Sequence, residues 1–387
     1  MIRLPARALL LVLGFAVGGC SIFGDDDEPV EAPAELTDFE KTVNVDEVWD
    51  VSVGPGSELL RLALRPAVQG GRVYAAGRDG RVVSLDVTSG RNEWRLDTDL
   101  PLSAGPGVGD GLAVVASSGG DVVAIDTVTG TEVWREKVAG EVLASPVISE
   151  GVVVLRTVDG RLRGLEAASG RELWQIEHKP PRLSLRGTGT PFVTQGLVFA
   201  GFDDGRVGAY TLREGAPLWE NLVSTGRGRT EIERLADVDA SPVVLGKDMY
   251  AVSFNGRLAN LSAESGQILW DIELSSHSGL GADWTTIYVS TAESEVVAVS
   301  RASGSPLWRQ DALRMRDLTS PTPFGQSVVV GDLEGYLHWL DAVTGDIEGR
   351  TRAGGSAIVS APVSAGDLLI VQDEDDRVYA FRAMPRD

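Results

Sequence analysis

The stretch AIDTVTGTEVW, residues 124 to 134, returns in altered form along almost the whole chain of 387 residues. In six copies a tryptophan stands four residues after a glycine. The pairs are Gly90 and Trp94, Gly130 and Trp134, Gly170 and Trp174, Gly215 and Trp219, Gly266 and Trp270, and Gly304 and Trp308. A seventh copy has Gly349 where the tryptophan would stand, and Trp49 lies alone near the front.

Two further markers keep the same register. Fourteen residues before most of these tryptophans lies the glycine of a turn pair, such as Asp79-Gly80 or Asp204-Gly205. A proline lies another fourteen residues back in every copy except the sixth. The spacing defines a repeat of roughly 40 residues, a period typical of propeller blades, solenoids and helical arrays.

The content of the third copy selects among these architectures. Residues 146–148 and 152–157 are short apolar runs, and Asp159-Gly160 is a hairpin turn because both residue types tolerate positive φ. Residues 161–165 and 171–176 alternate polar and apolar positions, as strands with two different faces do. Four short strands without a helical period predict a four-stranded antiparallel blade of a β-propeller.

The two ends of the chain predict how the ring closes. The last copy has one strand after its turn, residues 377–381, whereas residues 45–49 form a fourth strand with no blade before them. We therefore expect an all-β, eight-bladed β-propeller of four-stranded antiparallel blades, whose last blade is closed by the N-terminal strand. Such closure removes free sheet edges.

Residues 1–19 have the features of a bacterial export signal, in which two arginines precede an apolar core too short to span a bilayer. The following Val17-Gly18-Gly19-Cys20 resembles the lipobox of bacterial lipoproteins, which implies that Cys20, the only cysteine, carries a lipid such as palmitate. An ordinary signal peptide with an incidental cysteine is the alternative. Ser21 favours sorting to the outer membrane.

The remaining chain divides into two parts. Residues 20–43 are acidic and rich in proline and alanine, which predicts a disordered tether behind the lipidated cysteine. Residues 44–387 form the predicted propeller. No other segment could cross a membrane, so we expect attachment by the lipid anchor alone, with the domain facing the periplasm.

Charge and residue content exclude several classes of function. The net charge of -21 makes nucleic-acid binding improbable. None of the three histidines, His178, His277 and His338, has the spacing of metal ligands, and the alternating pattern around His338 predicts an ordinary strand residue. The acidic turn at 373–376 lacks the ligand spacing of calcium loops. With no nucleophile motif or phosphate loop, the sequence predicts no catalytic residue, metal or cofactor.

The copies differ in the connector that runs from each tryptophan to the next proline. It measures 12 or 13 residues in three copies, 17 after Trp49 and Trp174, and 23 after Trp219. In a four-stranded meander these connectors share one face of the ring with the Asp-Gly turns. The insertions therefore enlarge one face, where repeat proteins often bind partners.

Two of the insertions contain residues suited to a protein interface. The first offers Leu183 and Leu185 as apolar anchors with Arg186 beside them, and the second places Asp237 and Asp239 on one side of a short extended segment. An apolar centre with a charged rim suits a protein–protein patch. The alternative, that Leu183 and Leu185 begin an inner strand, stays open.

The pattern Ala-x-Asp-x-x-Thr-Gly-x-x-x-Trp, complete at residues 124–134, is similar to the repeat of pyrroloquinoline quinone-type propellers. Quinone-dependent dehydrogenases of that superfamily carry an adjacent cysteine pair and a set of calcium ligands. This chain has a single cysteine and no recognisable calcium set. A periplasmic quinone-dependent dehydrogenase is therefore the alternative function.

The whole chain more closely resembles the BamB family, the propeller lipoproteins of the outer-membrane β-barrel assembly machinery. The motifs Leu183-Ser184-Leu185-Arg186-Gly187 and 237–242 are similar to the two segments with which that family contacts BamA. The resemblance implies a non-enzymatic scaffold in which Leu183, Leu185, Arg186, Asp237 and Asp239 bind a periplasmic POTRA domain of BamA. It also implies assistance to the folding and insertion of β-barrel proteins in the outer membrane, with unfolded client proteins as further partners.

Overall fold

The computed structural model describes residues 31–56, 60, 62, 64–181, 189–225 and 237–386. Thirty-two strands in this part of the chain form eight separate sheets, each of four strands. Neighbouring strands pair antiparallel in every sheet. The predicted eight-bladed β-propeller is confirmed.

Blades 1 to 4 each use four consecutive strands. They are β2(Ala67–Gln69), β3(Arg72–Ala76), β4(Arg81–Asp86) and β5(Asn92–Asp97) in blade 1; β6(Leu102–Gly109), β7(Leu112–Ser117), β8(Asp121–Asp126) and β9(Glu132–Lys137) in blade 2; β10(Val147–Ser149), β11(Val152–Thr157), β12(Arg161–Glu166) and β13(Glu172–Glu177) in blade 3; and β14(Phe192–Thr194), β15(Leu197–Gly201), β16(Arg206–Thr211) and β17(Pro217–Leu222) in blade 4.

Blades 5 to 7 continue this order, and blade 8 combines both ends of the chain. The strands are β18(Val243–Leu245), β19(Asp248–Val252), β20(Arg257–Ser262) and β21(Ile268–Glu273) in blade 5; β22(Gly279–Ala282), β23(Thr286–Ser290), β24(Val296–Ser300) and β25(Pro306–Gln310) in blade 6; β26(Thr322–Phe324), β27(Ser327–Gly331), β28(Tyr336–Asp341) and β29(Ile347–Arg352) in blade 7; and β30(Val363–Ala365), β31(Leu368–Gln372), β32(Arg377–Pro385) and β1(Val43–Ser52) in blade 8.

The N-terminal strand closes the ring as predicted. β1 pairs antiparallel with β32 from Val43 opposite Pro385 to Ser52 opposite Arg377, with one bulge before Trp49. Blade 8 is therefore held together by backbone hydrogen bonds between segments more than 300 residues apart in the sequence. This pairing leaves β32 with a strand on each side, so it is not a free edge.

Burial follows the position of a strand within its blade. The second and third strands, such as β11 and β12, are buried almost throughout because each lies between two neighbouring blades. Outer strands such as β9 and β13 bury the tryptophan and leave most other positions exposed or half-exposed. The apolar core consequently lies between blades, as where Val114 of blade 2 and Val153 of blade 3 share one cluster.

Seven tryptophans, Trp49 and the six at the repeat position, each join their own blade to the next one. Each indole Nε1 donates a hydrogen bond to a carbonyl in the turn between the third and fourth strands of the following blade, at 2.7 to 3.1 Å. The donor and acceptor pairs are Trp49 and Val87, Trp94 and Thr127, Trp134 and Ala167, Trp174 and Leu212, Trp219 and Ala263, Trp270 and Arg301, and Trp308 and Ala342.

The glycine of the same turn lies directly against the indole. Gly130 has a φ of +70°, and a methyl group there would stand 2.6 Å from Cδ2 of Trp94. Glycine is required at this position both because it tolerates positive φ and because no side chain fits beneath the ring. The glycine four residues before one tryptophan is thus the contact surface for the preceding tryptophan.

Gly349, the residue that replaces the eighth tryptophan, faces the one blade that lacks this turn. The third and fourth strands of blade 8 are β32 and β1, which come from opposite ends of the chain, so no turn connects them. A methyl group on Gly349 would meet the carbonyl oxygen of Val43 at 3.4 Å. A tryptophan here would have no turn to pack on, which explains the substitution.

The packed body begins earlier than the predicted boundary at residue 44. The amide of Ala34 donates to the carbonyl of Arg314 at 2.9 Å, and the amide of Thr42 donates to the carbonyl of Glu348 at 3.1 Å. Between them, Arg350 donates to the carbonyl of Thr37 and lies over the ring of Phe39. We call residues 34–42 the N-terminal strap; it runs along blade 7 beside β29. The prediction of a disordered tether is therefore wrong for residues 34–42, and residues 20–30 of that prediction lie outside the described residues.

No helix in the described part of the chain has the length and apolar character that a membrane crossing requires. The predicted leader 1–19 and Cys20 lie outside the described residues.

The interblade tryptophans should dominate stability. We expect Trp134→Ala to lower the free energy of unfolding by about 3 to 5 kcal/mol, because it empties the contact with blade 3. Trp134→Phe keeps much of the packing and should cost about 1 kcal/mol for the lost hydrogen bond. The control is Trp284→Ala, at a side chain that is 75% exposed, with an effect of about 1 kcal/mol or less. Urea denaturation measures all three, and similar losses for Trp134→Ala and Trp284→Ala would contradict the assignment.

Candidate partner-binding surface on blades 3 to 5

We call the connector after Trp174 the first connector and the connector after Trp219 the second connector. Both leave their blades beside the turn that joins the second and third strands. The amide of His178 donates to the carbonyl of Gly160 at 2.9 Å in blade 3. The amide of Val223 makes the equivalent bond to Gly205 at 2.9 Å in blade 4. The described starts of the two connectors therefore lie on one face of the ring, the face that carries the Asp-Gly turns, as the meander topology predicts.

The ends of the two connectors meet each other. The amide of Thr190, after the first insertion, donates to Oγ of Ser241 at 2.9 Å. The neighbouring Gly189 approaches the second connector so closely that a methyl group on it would stand 2.7 Å from the carbonyl oxygen of Ala240. The two insertions thus return to the ring side by side, at the junction of blades 4 and 5.

The end of the second connector is held between the turns of blades 4 and 5. The amide of Val238 donates to the carbonyl of Phe202 at 3.2 Å, and the amide of Phe254 donates to the carbonyl of Asp237 at 3.0 Å. The side chain of Val238 is fully buried and packs against the backbone of Gly201. Residues 237–240 therefore have a fixed position in the described structure.

A buried ionic cluster lies beneath this segment. Arg156, on β11 of blade 3, forms an ion pair with Asp203 in the blade 4 turn, and its Nη2 lies 3.6 Å from Oδ1 of Asp239. The guanidinium also lies over the ring of Phe202, 5.6 Å from the ring centroid. This cluster, Arg156, Asp203 and Asp239, connects three consecutive blades; Asp237 lies close to it.

The two carboxylates predicted to contact a partner are not surface groups. Asp237 is 1% exposed, and the side chain of Asp239 is 8% exposed. The sequence pattern of two acids on one side of an extended segment could not show that the segment runs between two turns. Leu183, Leu185 and Arg186 lie outside the described residues, and the first strand of blade 4, β14, begins at Phe192.

Burial raises the pKa of Asp239 to about 8. The nearby guanidinium of Arg156 acts in the opposite direction, whereas the negative charges of Asp203 and Asp237 raise the pKa further. The cause is that one arginine serves several carboxylates in a place with little water. The protonated form of Asp239 is therefore favoured in the folded chain at neutral pH.

His178 packs at the start of the first connector. Its ring stacks on Phe202 with 3.7 Å between centroids, and its Nε2 lies 3.2 Å from the hydroxyl of Tyr210. Its Nδ1 lies 3.5 Å from a carboxylate oxygen of Asp204. The sequence analysis predicts no metal-binding role for His178, and in the structure its ring supports the start of the first connector.

His338 has a more polar environment than its strand pattern predicts. It is fully buried on β28, its Nε2 lies 2.9 Å from Oδ2 of Asp332, and Arg350 donates to its Nδ1 at 3.1 Å. Burial lowers the pKa of His338, against the opposing effect of Asp332. This network includes Arg316 and lies beside the N-terminal strap at the junction of blades 6 and 7, not on blades 3 to 5.

The described residues contain no group of three or more histidine, cysteine and acidic side chains arranged to hold a metal ion. The acids beneath the connectors instead surround an arginine. The fold and this face together define the class of the protein as an eight-bladed β-propeller whose connectors are lengthened on one face.

Comparison with known proteins identifies the family within this class. The family model described as outer membrane protein assembly factor BamB matches residues 43–101, 78–310 and 292–384. The outer membrane protein assembly factor BamB of Pseudomonas aeruginosa is 46% identical over 375 residues, which cover 97% of this chain and 98% of that protein. The chain belongs to the BamB family.

Solved structures give a consistent result. The crystal structure of BamB from Moraxella catarrhalis superposes with a TM-score of 0.80 at 29% identity, and the match covers 88% of this chain and all of that one. A europium-containing methanol dehydrogenase matches with a TM-score of 0.70 at 12% identity, over 87% of this chain and 93% of that one. The second likeness shows only that the propeller fold is shared with quinone enzymes.

The buried acid of the second connector predicts a pH-dependent stability. An unfolded aspartate titrates near 3.8, so between that pH and about 8 the folded chain binds more protons at Asp239 than the unfolded chain does. Stability from this group is therefore present at low pH and is lost as pH rises through about 8. Asp239→Asn cannot ionise, and its midpoint of thermal unfolding should exceed that of the wild type at pH 8.5 by more than at pH 5.

Asp86→Asn is the matched control for this measurement. The hydroxyls of Ser89 and Thr88 lower the pKa of Asp86 to about 2, so this exposed group stays ionised at both pH values. The difference between Asp86→Asn and wild type should not change from pH 5 to pH 8.5. An Asp239→Asn difference that is equally constant would show that Asp239 does not titrate in this range.

Proposed function

We propose that this chain is a scaffold lipoprotein of the outer-membrane protein assembly complex. It binds the periplasmic POTRA region of BamA through the face that carries the two long connectors, and so assists the folding and insertion of β-barrel outer-membrane proteins. Membership of the BamB family supports the assembly role. The partner and the docking residues are inferred from the resemblance of the two connector motifs to that family's contact segments.

The observation that carries the proposal is the meeting of the two connectors. They arise from different blades, 3 and 4, yet the bond from Thr190 to Ser241 brings their ends together on one face. A continuous docking surface requires such proximity, because an interface of ordinary size needs about 20 to 30 residues from one side. Two insertions on opposite faces could not form one.

The five predicted residues take two different roles in this proposal. Leu183 and Leu185 supply the apolar centre of the interface, and Arg186 supplies a charged hydrogen-bond donor beside it. Asp237 and Asp239 are buried in the free chain, so they act by fixing the backbone of the second connector from below. Substitution of these acids would then reduce binding by displacing the connector.

The attachment to the membrane is also part of the proposal. A lipid on Cys20 would hold the propeller on the periplasmic leaflet of the outer membrane. The chain from Cys20 to Ala34, where the strap begins, can reach at most about 50 Å when fully extended. That distance keeps the propeller near a membrane-embedded partner.

The anchor can be tested by fractionation. Cys20→Ser removes the only thiol that could carry lipid, so we expect the protein to move from the outer-membrane fraction to the soluble periplasm. Ser21→Ala, which keeps the cysteine, should remain with the membrane fraction. Retention of Cys20→Ser in that fraction after a high-salt wash would contradict lipid anchoring.

The docking surface can be tested with the first connector. We expect Leu185→Ala combined with Arg186→Ala to weaken binding to the periplasmic part of BamA by more than about tenfold, because truncation of a desolvated hot-spot residue costs about 2 kcal/mol or more. Surface plasmon resonance with the full chain in detergent measures the dissociation constant.

The matched control makes the same two changes on another blade. Leu307→Ala with Arg309→Ala alters an exposed leucine and an exposed arginine of β25 in blade 6. It should bind BamA as the wild type does. Unchanged affinity of the Leu185 and Arg186 variant, with an unaltered circular dichroism spectrum, would show that this connector is not the docking site.

A further inference from the structure

The buried arginine of blade 3 has contacts that its own blade does not require. Arg156 is 1% exposed and lies on β11, but its ion partners belong to blade 4 and to the connector that leads into blade 5. Its guanidinium also lies over Phe202 of blade 4. The side chain thus crosses one blade interface and reaches the edge of the next.

The position of the second connector depends on this charge. The side chains of Asp203 and Asp239 are both buried, both approach Nη2 of the arginine and lie close to each other, and Asp237 is nearby. The 3.6 Å separation from Asp239 is longer than a hydrogen bond, and Asp239 is protonated at neutral pH, so the full ion pair of the arginine is with Asp203, while Asp239 packs beside this pair. Without the arginine, the buried Asp203 and Asp239 would lie close together without the cation that they share. Such a group is strongly unfavourable in a buried place.

Displacement of Asp239 would be transmitted to the first connector as well. Ala240 follows Asp239 directly, and its carbonyl oxygen forms the wall against which Gly189 packs. The next residue, Ser241, accepts the hydrogen bond from the amide of Thr190. The arginine therefore supports the one place where both connectors are joined.

We infer that Arg156 is a positioning residue for the partner-binding surface: through Asp203 and Asp239 it fixes the junction of the two connectors, without touching the partner itself. The inference rests on the proposed docking of this face to BamA. Removal of the positive charge frees the junction and misaligns both connectors, while the eight blades keep their pairing and their tryptophan contacts.

The junction of blades 6 and 7 offers a matched control. Arg316 is 3% exposed, its Nε donates to Asp332 at 2.7 Å, and it also pairs with Glu334. It is therefore a buried arginine between two acids, like Arg156, but it lies between blades 6 and 7. If Arg156 only stabilises the fold, Arg156→Met and Arg316→Met should have similar effects on partner binding.

The experiment compares the full chain, purified in detergent, as wild type, Arg156→Met and Arg316→Met. Surface plasmon resonance with the periplasmic part of BamA gives affinity, and urea denaturation gives stability. We expect Arg156→Met to bind at least about tenfold more weakly than wild type, and Arg316→Met to bind within about threefold, although both lose stability. Hydrogen exchange should show faster exchange of the Val238 amide in Arg156→Met only.

A triple variant keeps the inference testable if Arg156→Met does not fold. Arg156→Met combined with Asp203→Asn and Asp239→Asn removes the isolated charges together with the cation, which is much less costly than removal of one partner. We expect this variant to fold and to regain at least part of the binding lost in Arg156→Met. Arg156→Lys, which keeps the charge without the planar fork, should fall between wild type and Arg156→Met.

The outcomes separate this inference from the proposed function. If wild type does not bind BamA, the proposed function fails. If wild type binds and Arg156→Met binds equally well, or if Arg316→Met loses as much affinity as Arg156→Met, the positioning role is overturned while the proposed function stands. Selective loss with Arg156→Met, and recovery in the triple variant, supports it.

Discussion

The contact between a tryptophan of one blade and a glycine of the next is the constraint on which the ring depends. No single blade can bury both faces of its sheet, and the indole provides a large apolar surface together with one directed hydrogen bond. The acceptor carbonyl and the flat glycine surface belong to the same short turn. One residue type at a fixed spacing therefore sets both the distance and the orientation between neighbours, seven times in succession.

The same constraint made the fold predictable from sequence. Trp134 and Gly130 mark the register, and the intervening residues specify short strands and turns. The one exception has the same explanation. Gly349 stands at the tryptophan position that faces blade 8, where no turn connects β32 to β1 and an indole would have nothing to pack on. The fold is predictable because the same local pattern, a tryptophan four residues after a glycine, marks the same contact at the other interfaces.

The candidate site was predicted less completely because its contacts do not repeat. Arg156 and Asp203 are 47 residues apart, and nothing in the sequence near either one indicates a partner in the next blade. The motif around Asp237 predicts a partner-binding segment, but it does not predict the burial of Asp237, which follows from bonds to Phe202 and Phe254 in two different turns. The N-terminal strap was missed for a related reason: its composition is that of a linker, and its order comes from Arg316 and Arg350, nearly 300 residues or more away.

Within this one chain, the repeated blades have a constant spacing, whereas the connectors on one face vary in length. Spacing between turns and tryptophans is constant from blade to blade, since any change there would disturb an interface. Connectors on one face are free to lengthen, as they do after Trp174 and Trp219. Arg156 of blade 3 contacts Asp239 near the end of the second connector, so that the end of this long loop has a fixed position on the ring.

The N-terminal strap has a mechanical consequence. A force applied to the N-terminal end of residues 34–42 meets first the hydrogen bonds by which Arg316 holds the carbonyl of Ala34 and Arg350 holds that of Thr37. These contacts must break before the load reaches the β1–β32 pairing that closes the ring. The strap therefore acts as a strain relief, which takes up a pull on this end of the chain while the eight blades stay joined.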